Sequence, residues 1–240
     1  PSISVKKRSR GVSKTPSFDD INDRTYKEAF RAVSVRIDRS MREKGHKALM
    51  VCSSVSGEGK TTVVYNLAQL LAKLGRRVLI IDCDLRNPMM YKILDADKGK
   101  GFSELVEGKA TIPETVHAVL PDKLDVIFAG NYDGDATDVL GEQGVGDVLK
   151  QLRNSYDFIL IDTPPYSMLA DAENMGEVID GALMVVRQNY ASRVSVVDTV
   201  TRLSEIDVPI IGYVLNVCTG GSLGQFGYGY GYGYGYDEKK

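Results

Sequence analysis

The chain has no tryptophan, three cysteines, two histidines and no long apolar run. Each scarcity closes a class of protein. Cys52, Cys83 and Cys218 are odd in number and show no C-x-x-C spacing, so a disulfide framework is not expected and the thiols read as reduced, in a cytosolic setting. His46 and His117 are isolated and fit no zinc pattern, which leaves them surface or packing roles. No apolar stretch approaches the ~18 residues needed to cross a bilayer. The basic first residues lack the apolar segment of a signal peptide. A formal net charge of -2 gives no reason to expect nucleic acid as the main partner. A chain of 240 residues lies within the range of one α/β domain and can bury a sizeable core.

What is present is a phosphate-binding loop. Residues 54–61 read Ser-Val-Ser-Gly-Glu-Gly-Lys-Thr. The P-loop pattern asks for Gly, four residues, then Gly-Lys-Ser/Thr between a strand and a helix. Gly59-Lys60-Thr61 matches its second half, and Ser54 stands where the first Gly is usual. The context agrees, because Ala48 to Cys52 has buried-strand length and Thr62 to Leu74 carries apolar residues at helical spacing, with Gly75 as a stop. Gly57 and Gly59 allow backbone N–H groups to converge on phosphate oxygens, aided by the helix dipole. The loop from Ser56 through Gly57, Glu58, Gly59, Lys60 and Thr61 to Thr62 is therefore the expected nucleotide cradle. Lys60 would reach the β- and γ-phosphates of ATP, and the Thr61 hydroxyl would ligate Mg²⁺. The bland alternative is a glycine-rich turn with an exposed lysine. It leaves the Lys-Thr pair at the helix start without a reason.

Two aliphatic runs end in carboxylates. Arg77 to Ile81 leads into Asp82-Cys83-Asp84, and Phe158 to Ile161 leads into Asp162. Such runs fit central parallel strands, whose C-terminal ends border the ligand crevice of an open α/β sheet. Asp162 is expected to hold the metal or its water. Asp82 and Asp84 could supply a metal contact and a base for an incoming hydroxyl, and the spacing does not say which does which. Each alone could simply cap a helix or start a turn. Three together behind a P-loop argue for one catalytic site.

The P-loop, the segment Asp82-Cys83-Asp84-Leu85-Arg86-Asn87-Pro88 and the segment Ile161-Asp162-Thr163-Pro164-Pro165 together resemble the bacterial tyrosine kinases, a family derived from deviant P-loop ATPases. The resemblance runs from about Tyr26 to Val217, and the tyrosine-rich tail beyond is also typical of the family. It implies a doubly wound, largely parallel α/β sheet, with Walker A, A′ and B roles on the residues already named. It places Arg187 and Asn216 near the nucleotide base. It implies transfer of phosphate to the chain's own tail, in trans within a homo-oligomer that can close a ring. It also implies a membrane activator, an opposing tyrosine phosphatase, recruitment to the inner face of the cell membrane, and control of exopolysaccharide or capsule synthesis or export. The rival is a partition or division-site ATPase switch of the same superfamily, which carries a signature lysine where this chain has Val55.

Along the chain, residues 1–22 form a polar segment in which Lys6, Lys7, Arg8, Arg10 and Lys14 could meet anionic lipid at roughly 1 kcal/mol each. A solvated linker is the alternative. The chain opens on Pro1 rather than Met, as a trimmed protein or the cytosolic piece of a larger membrane protein would. The kinase domain is expected over 23–217. It begins with a helix at 23–44 whose Ala29, Phe30, Val33 and Ile37 share one stripe. Glu28 and Arg31 could pair at i,i+3, or, by the family's Glu-x-x-Arg-x-x-Arg pattern, reach a neighbouring subunit. Ser34 stands at the third position of that pattern. Apolar runs near 48–52, 78–81, 124–128, 158–161, 182–186 and 209–215 alternate with helical stretches. The segment 130–141 is polar and acidic where the family is usually proline-rich.

The tail, 218–240, contains Tyr228, Tyr230, Tyr232, Tyr234 and Tyr236 in strict alternation with glycine. Glycine loses the most backbone freedom on ordering, and five rings alone do not offset that loss, so disorder is expected. Five phosphates would add on the order of −8 to −10 charges, enough to drive neighbouring subunits apart. A stacking or adhesive segment is the alternative reading.

Overall fold

The runs Ala48–Cys52, Val78–Asp82 and Phe158–Asp162 are buried at every position, so both their faces must be covered by helices. The computed structural model, which describes residues 18–19, 22–132, 143–166 and 178–217, shows that arrangement. The described strands are β1 (Ala48–Cys52), β2 (Val78–Asp82), β3 (Val116–Leu120), β4 (Leu124–Ile127), β5 (Phe158–Asp162), β6 (Gly181–Arg187) and β7 (Ile210–Asn216). They pair in the order β3-β4-β2-β5-β1-β6-β7. Every pair is parallel except β3 with β4.

One face packs under α1 (Arg24–Glu43), α2 (Lys60–Lys73) and α3 (Met90–Leu94). Leu49, Val51, Ile80 and Leu160 meet Phe30, Leu67 and Leu71 there. The other face packs under α4 (Phe102–Val106), α5 (Ile112–Thr115), α6 (Gln143–Leu152) and α7 (Arg193–Glu205), with Met50, Ile81, Ile161 and Met184 against Phe102, Leu149 and Leu203. The doubly wound α/β sheet expected from the sequence is the observed one. Among the described residues, no helix is long and apolar enough to cross a membrane.

The structure differs from the sequence reading in two places. β3 was not expected, because an edge strand with three of its five residues exposed shows no aliphatic run. His117 lies on it, its ring centroid 5.2 Å from that of Phe128. The second difference is in α1, which Asp23 caps by accepting from the Tyr26 N–H. Glu28 pairs with Arg24 at 2.7 Å rather than with Arg31. The Arg31 guanidinium instead sits 5.8 Å from the centroid of the buried Phe18 ring. Two cations compete for one carboxylate, and Phe18 offers the second cation an alternative. Phe30, Val33 and Ile37 are buried as their stripe requires, and so is Ser34, whose hydroxyl donates to the Arg31 carbonyl. Residues 1–17, most of 130–141, and the tail with its five tyrosines lie outside the described residues.

Asp180 ties the start of β1 to the rest of the sheet. Its Oδ2 accepts from the N–H groups of Lys47 and Ala48, both at 2.7 Å, and its Oδ1 from Arg153 at 2.8 Å. Burial pushes the carboxyl up, but the Arg153 hydrogen bond and the two amides outweigh it and hold it below the usual range. A depressed carboxylate contributes stability above its unfolded pKa, near 3.9, and loses it as pH falls through the folded value. Asp180→Asn is therefore expected to cost about 1–2 kcal/mol at pH 7. Urea midpoints should differ most above about pH 4 and converge below it.

Candidate functional site

Parallel strands share a C-terminal edge, so β1, β2, β5, β6 and β7 deliver their last residues to one place. From β1 the chain turns through residues 53–59 into α2. Gly59 is the residue before the helix, with φ at +95°, and no side chain caps the first amides. A Cβ at Gly59 would strike the Asn216 amide nitrogen. Gly59→Ala is therefore expected to displace Asn216 and strain the turn, weakening nucleotide binding at least about tenfold in a fluorescent-nucleotide titration.

Lys60 is buried along its own loop, its Nζ donating to Ser53 Oγ at 3.0 Å. Glu58 is fully buried and acts as a strut. Its Oε2 accepts from the Val55 N–H and its Oε1 from the Arg187 N–H, each at 3.0 Å. Asn216 donates to the Glu58 carbonyl at 2.7 Å, and Arg187 Nη1 donates to the Gly57 carbonyl at 3.1 Å. The ends of β6 and β7 thus fasten the loop. Ser56 and Gly57 remain exposed at its tip, and Thr61 and Thr62 are half-buried at the helix start.

The three carboxylates are gathered at this edge but differ in state. Asp162 lies beside Asp82 in the β2–β5 ladder. It is buried, and neither of its carboxylate oxygens accepts a hydrogen bond among the described residues. Burial, then the neighbouring Asp82 charge, pushes its pKa far up. The nearby Thr61 hydroxyl, short of full hydrogen-bond geometry, and Lys60 pull the other way. Asp82 is equally buried, yet its oxygens take the N–H groups of Asp84 and Met90, both at 3.1 Å. Burial raises its pKa and those amides oppose the rise. Asp84 is only half-buried and accepts from the Asn87 N–H at 3.0 Å. Burial raises it too, against the amide, Lys60 and Arg86.

Lys60, Thr61, Asp82, Asp84, Asp162, Glu58, Arg187 and Asn216 therefore share one region. Arg187 and Asn216 reach it by gripping the loop backbone. Two residues there were not foreseen. Ser53 precedes the motif and receives the lysine. Tyr190 packs its ring 4.5 Å from the Arg187 guanidinium and its hydroxyl against Gly57. Neither carries a local sequence signal.

A parallel sheet that feeds a glycine-rich loop into a helix, beside a buried acid on the adjoining strand, defines a nucleotide-binding domain of the deviant P-loop NTPase type. A family profile described as an AAA domain matches residues 46–206, and the chain belongs to that family, within it to the bacterial tyrosine kinases. It is 26% identical over 201 residues to the tyrosine-protein kinase YwqD of Bacillus subtilis (strain 168), covering 84% of this chain and 85% of that one. It is 28% identical to the putative tyrosine-protein kinase EpsB of Ralstonia solanacearum over 84% of its own length but 27% of that longer protein. The kinase domain of the Escherichia coli tyrosine kinase ETK superposes with a TM-score of 0.81 at 25% identity, covering 97% of this chain and 93% of that one. The septum site-determining protein MinD of Pyrococcus horikoshii OT3, complexed with Mg-ADP, superposes with a TM-score of 0.61 at 25% identity, covering 71% and 70%.

Proposed function

We propose that the chain transfers the γ-phosphate of ATP, with Mg²⁺, to Tyr228, Tyr230, Tyr232, Tyr234 and Tyr236 of a neighbouring copy within a homo-oligomer. The observation that carries this reading is a buried lysine and an unpartnered buried carboxylate, Lys60 and Asp162, facing one loop at one sheet edge. The donors suit a hard cation: Thr61 offers a hydroxyl and Asp162 two unused oxygens, leaving phosphates and waters to complete the shell. When bound there, the ion neutralises charge on the β- and γ-phosphates. The amides of residues 56–62 cradle those phosphates, and the Lys60 ammonium leaves Ser53 for the transferring group. Asp84, the most open of the three acids and within the field of Lys60, accepts the tyrosine Oη proton. Asp82 holds the turn that aims Asp84. Arg187 and Asn216 keep the loop in register.

Glu28 and Arg31 are exposed on α1 and supply the contact between copies, which supports a ring. Catalysis is coupled to a membrane-borne activator, which recruits this cytoplasmic domain to the inner face of the membrane. A tyrosine phosphatase resets the tail, and the cycle regulates exopolysaccharide or capsule synthesis or export.

The MinD-like fold favours one rival, an ATPase switch without kinase activity. At the position of that class's signature lysine this chain has Val55, whose N–H goes to Glu58. Incubating the full chain with ATP and Mg²⁺ and mapping phosphotyrosine by mass spectrometry decides between them. Phosphate on the tail is expected. ATP hydrolysis with an unmodified tail would establish the switch.

A further inference from the structure

Tyr190 lies in the turn after β6 and is 51% exposed, although its hydroxyl rests on the nucleotide loop. A Cβ built on Gly57 would come within 2.8 Å of the Tyr190 Oη, so that oxygen is in van der Waals contact with the loop's exposed tip. The Arg187 guanidinium stacks 4.5 Å from the ring centroid and spends one N–H on the Gly57 carbonyl. An acceptor hydroxyl, a cation and the phosphate-binding backbone therefore meet at one accessible point.

We propose that Tyr190 is a phosphorylation site through which the kinase limits its own nucleotide binding, an inference that rests on the activity proposed above. The Tyr190 Oη of one copy attacks the γ-phosphorus of ATP held by another copy. The new O–P bond forms as the bridging bond to the β-phosphate breaks, ADP departs with that electron pair, and the hydroxyl proton passes to Asp84 of the second copy. Transfer within one chain would require Tyr190 to leave Arg187 and cross the loop it packs against, whereas its open edge already faces solvent. The product places a dianion on Gly57. Phosphate outcompetes a carbonyl for guanidinium, so Arg187 turns from the Gly57 carbonyl to the phosphotyrosine and the loop loses a tether. The added charge also repels incoming nucleotide phosphates.

The test uses the full chain with all five tail tyrosines replaced by Phe, with and without Tyr190→Phe. After incubation with ATP and Mg²⁺, the tail variant is expected to carry phosphotyrosine at position 190, and the added Tyr190→Phe to remove it. The phosphorylated tail variant should bind a fluorescent ATP analogue about tenfold more weakly than the same protein after phosphatase treatment. A tail variant without phosphate at Tyr190, beside a wild type labelled on its tail, overturns this inference and leaves the kinase reading standing. A wild type that takes up no phosphate overturns both. Phosphate at Tyr190 with unchanged nucleotide affinity overturns the control and leaves only a modification.

Discussion

Lys60→Met should leave a folded chain that no longer labels its tail. Methionine has nearly the length of lysine and suits a site this buried, so the loop loses a charge rather than a volume. Ser53 loses a partner but still donates to the Val55 carbonyl at 2.8 Å, so a change in melting temperature of only a few degrees is expected. The effect falls on the transition state, where the ammonium would face oxygens of the departing phosphoryl group. Removing one preorganised donor from such a site typically costs 10²–10³-fold, and phosphotyrosine should drop by about that much. Phosphopeptide mass spectrometry of wild type beside mutant measures it. Label that persisted on the mutant tail would come from another enzyme and remove the basis for autophosphorylation.

Asp162→Asn should stabilise the protein while silencing it. A carboxylate buried without a hydrogen-bond partner, next to Asp82, destabilises the free chain. Because its folded pKa is raised, this cost is absent below the unfolded value near 3.9, grows as pH rises above it, and is complete above the folded value. An uncharged amide of the same shape relieves the cost. The mutant should therefore be more stable by about 1–3 kcal/mol at pH 8, with the gap shrinking as the buffer is taken towards pH 4. Chemical denaturation at the two pH values reads this directly. Phosphotyrosine formation should fall about 100-fold or more, because the donor suited to the cation has gone. A mutant less stable than wild type at pH 8 would mean that Asp162 makes a structural bond in the folded chain.

The parts of this fold legible in the sequence are those whose physics is local. β1, β2 and β5 announce themselves because a strand covered on both faces must be aliphatic throughout. The loop is legible because glycines, a lysine and a threonine must follow one another to hold phosphate. β3 escaped because an edge strand needs apolar residues on little of its surface. The pairing of Glu28 with Arg24 turned on Phe18, a residue that neighbouring helical spacing does not mention. The Glu58 strut was invisible for a different reason. Its partners Arg187 and Asn216 lie 129 and 158 residues away, so only the folded sheet brings them together. The same holds for the contrast between Asp82 and Asp162, equivalent as strand-end acids yet divided by whether backbone amides reach them.

Asn216 closes β7 and is separated from the tail only by Val217, while its side chain holds the carbonyl of Glu58. A pull on the chain beyond that point is borne by the ladder that joins β7 to β6, by the Gln188 N–H on the Asn216 carbonyl, and by this side-chain amide on the phosphate loop. The glycine-rich loop is thus mechanically coupled to the chain that leaves β7, through the side chain that holds the Glu58 carbonyl.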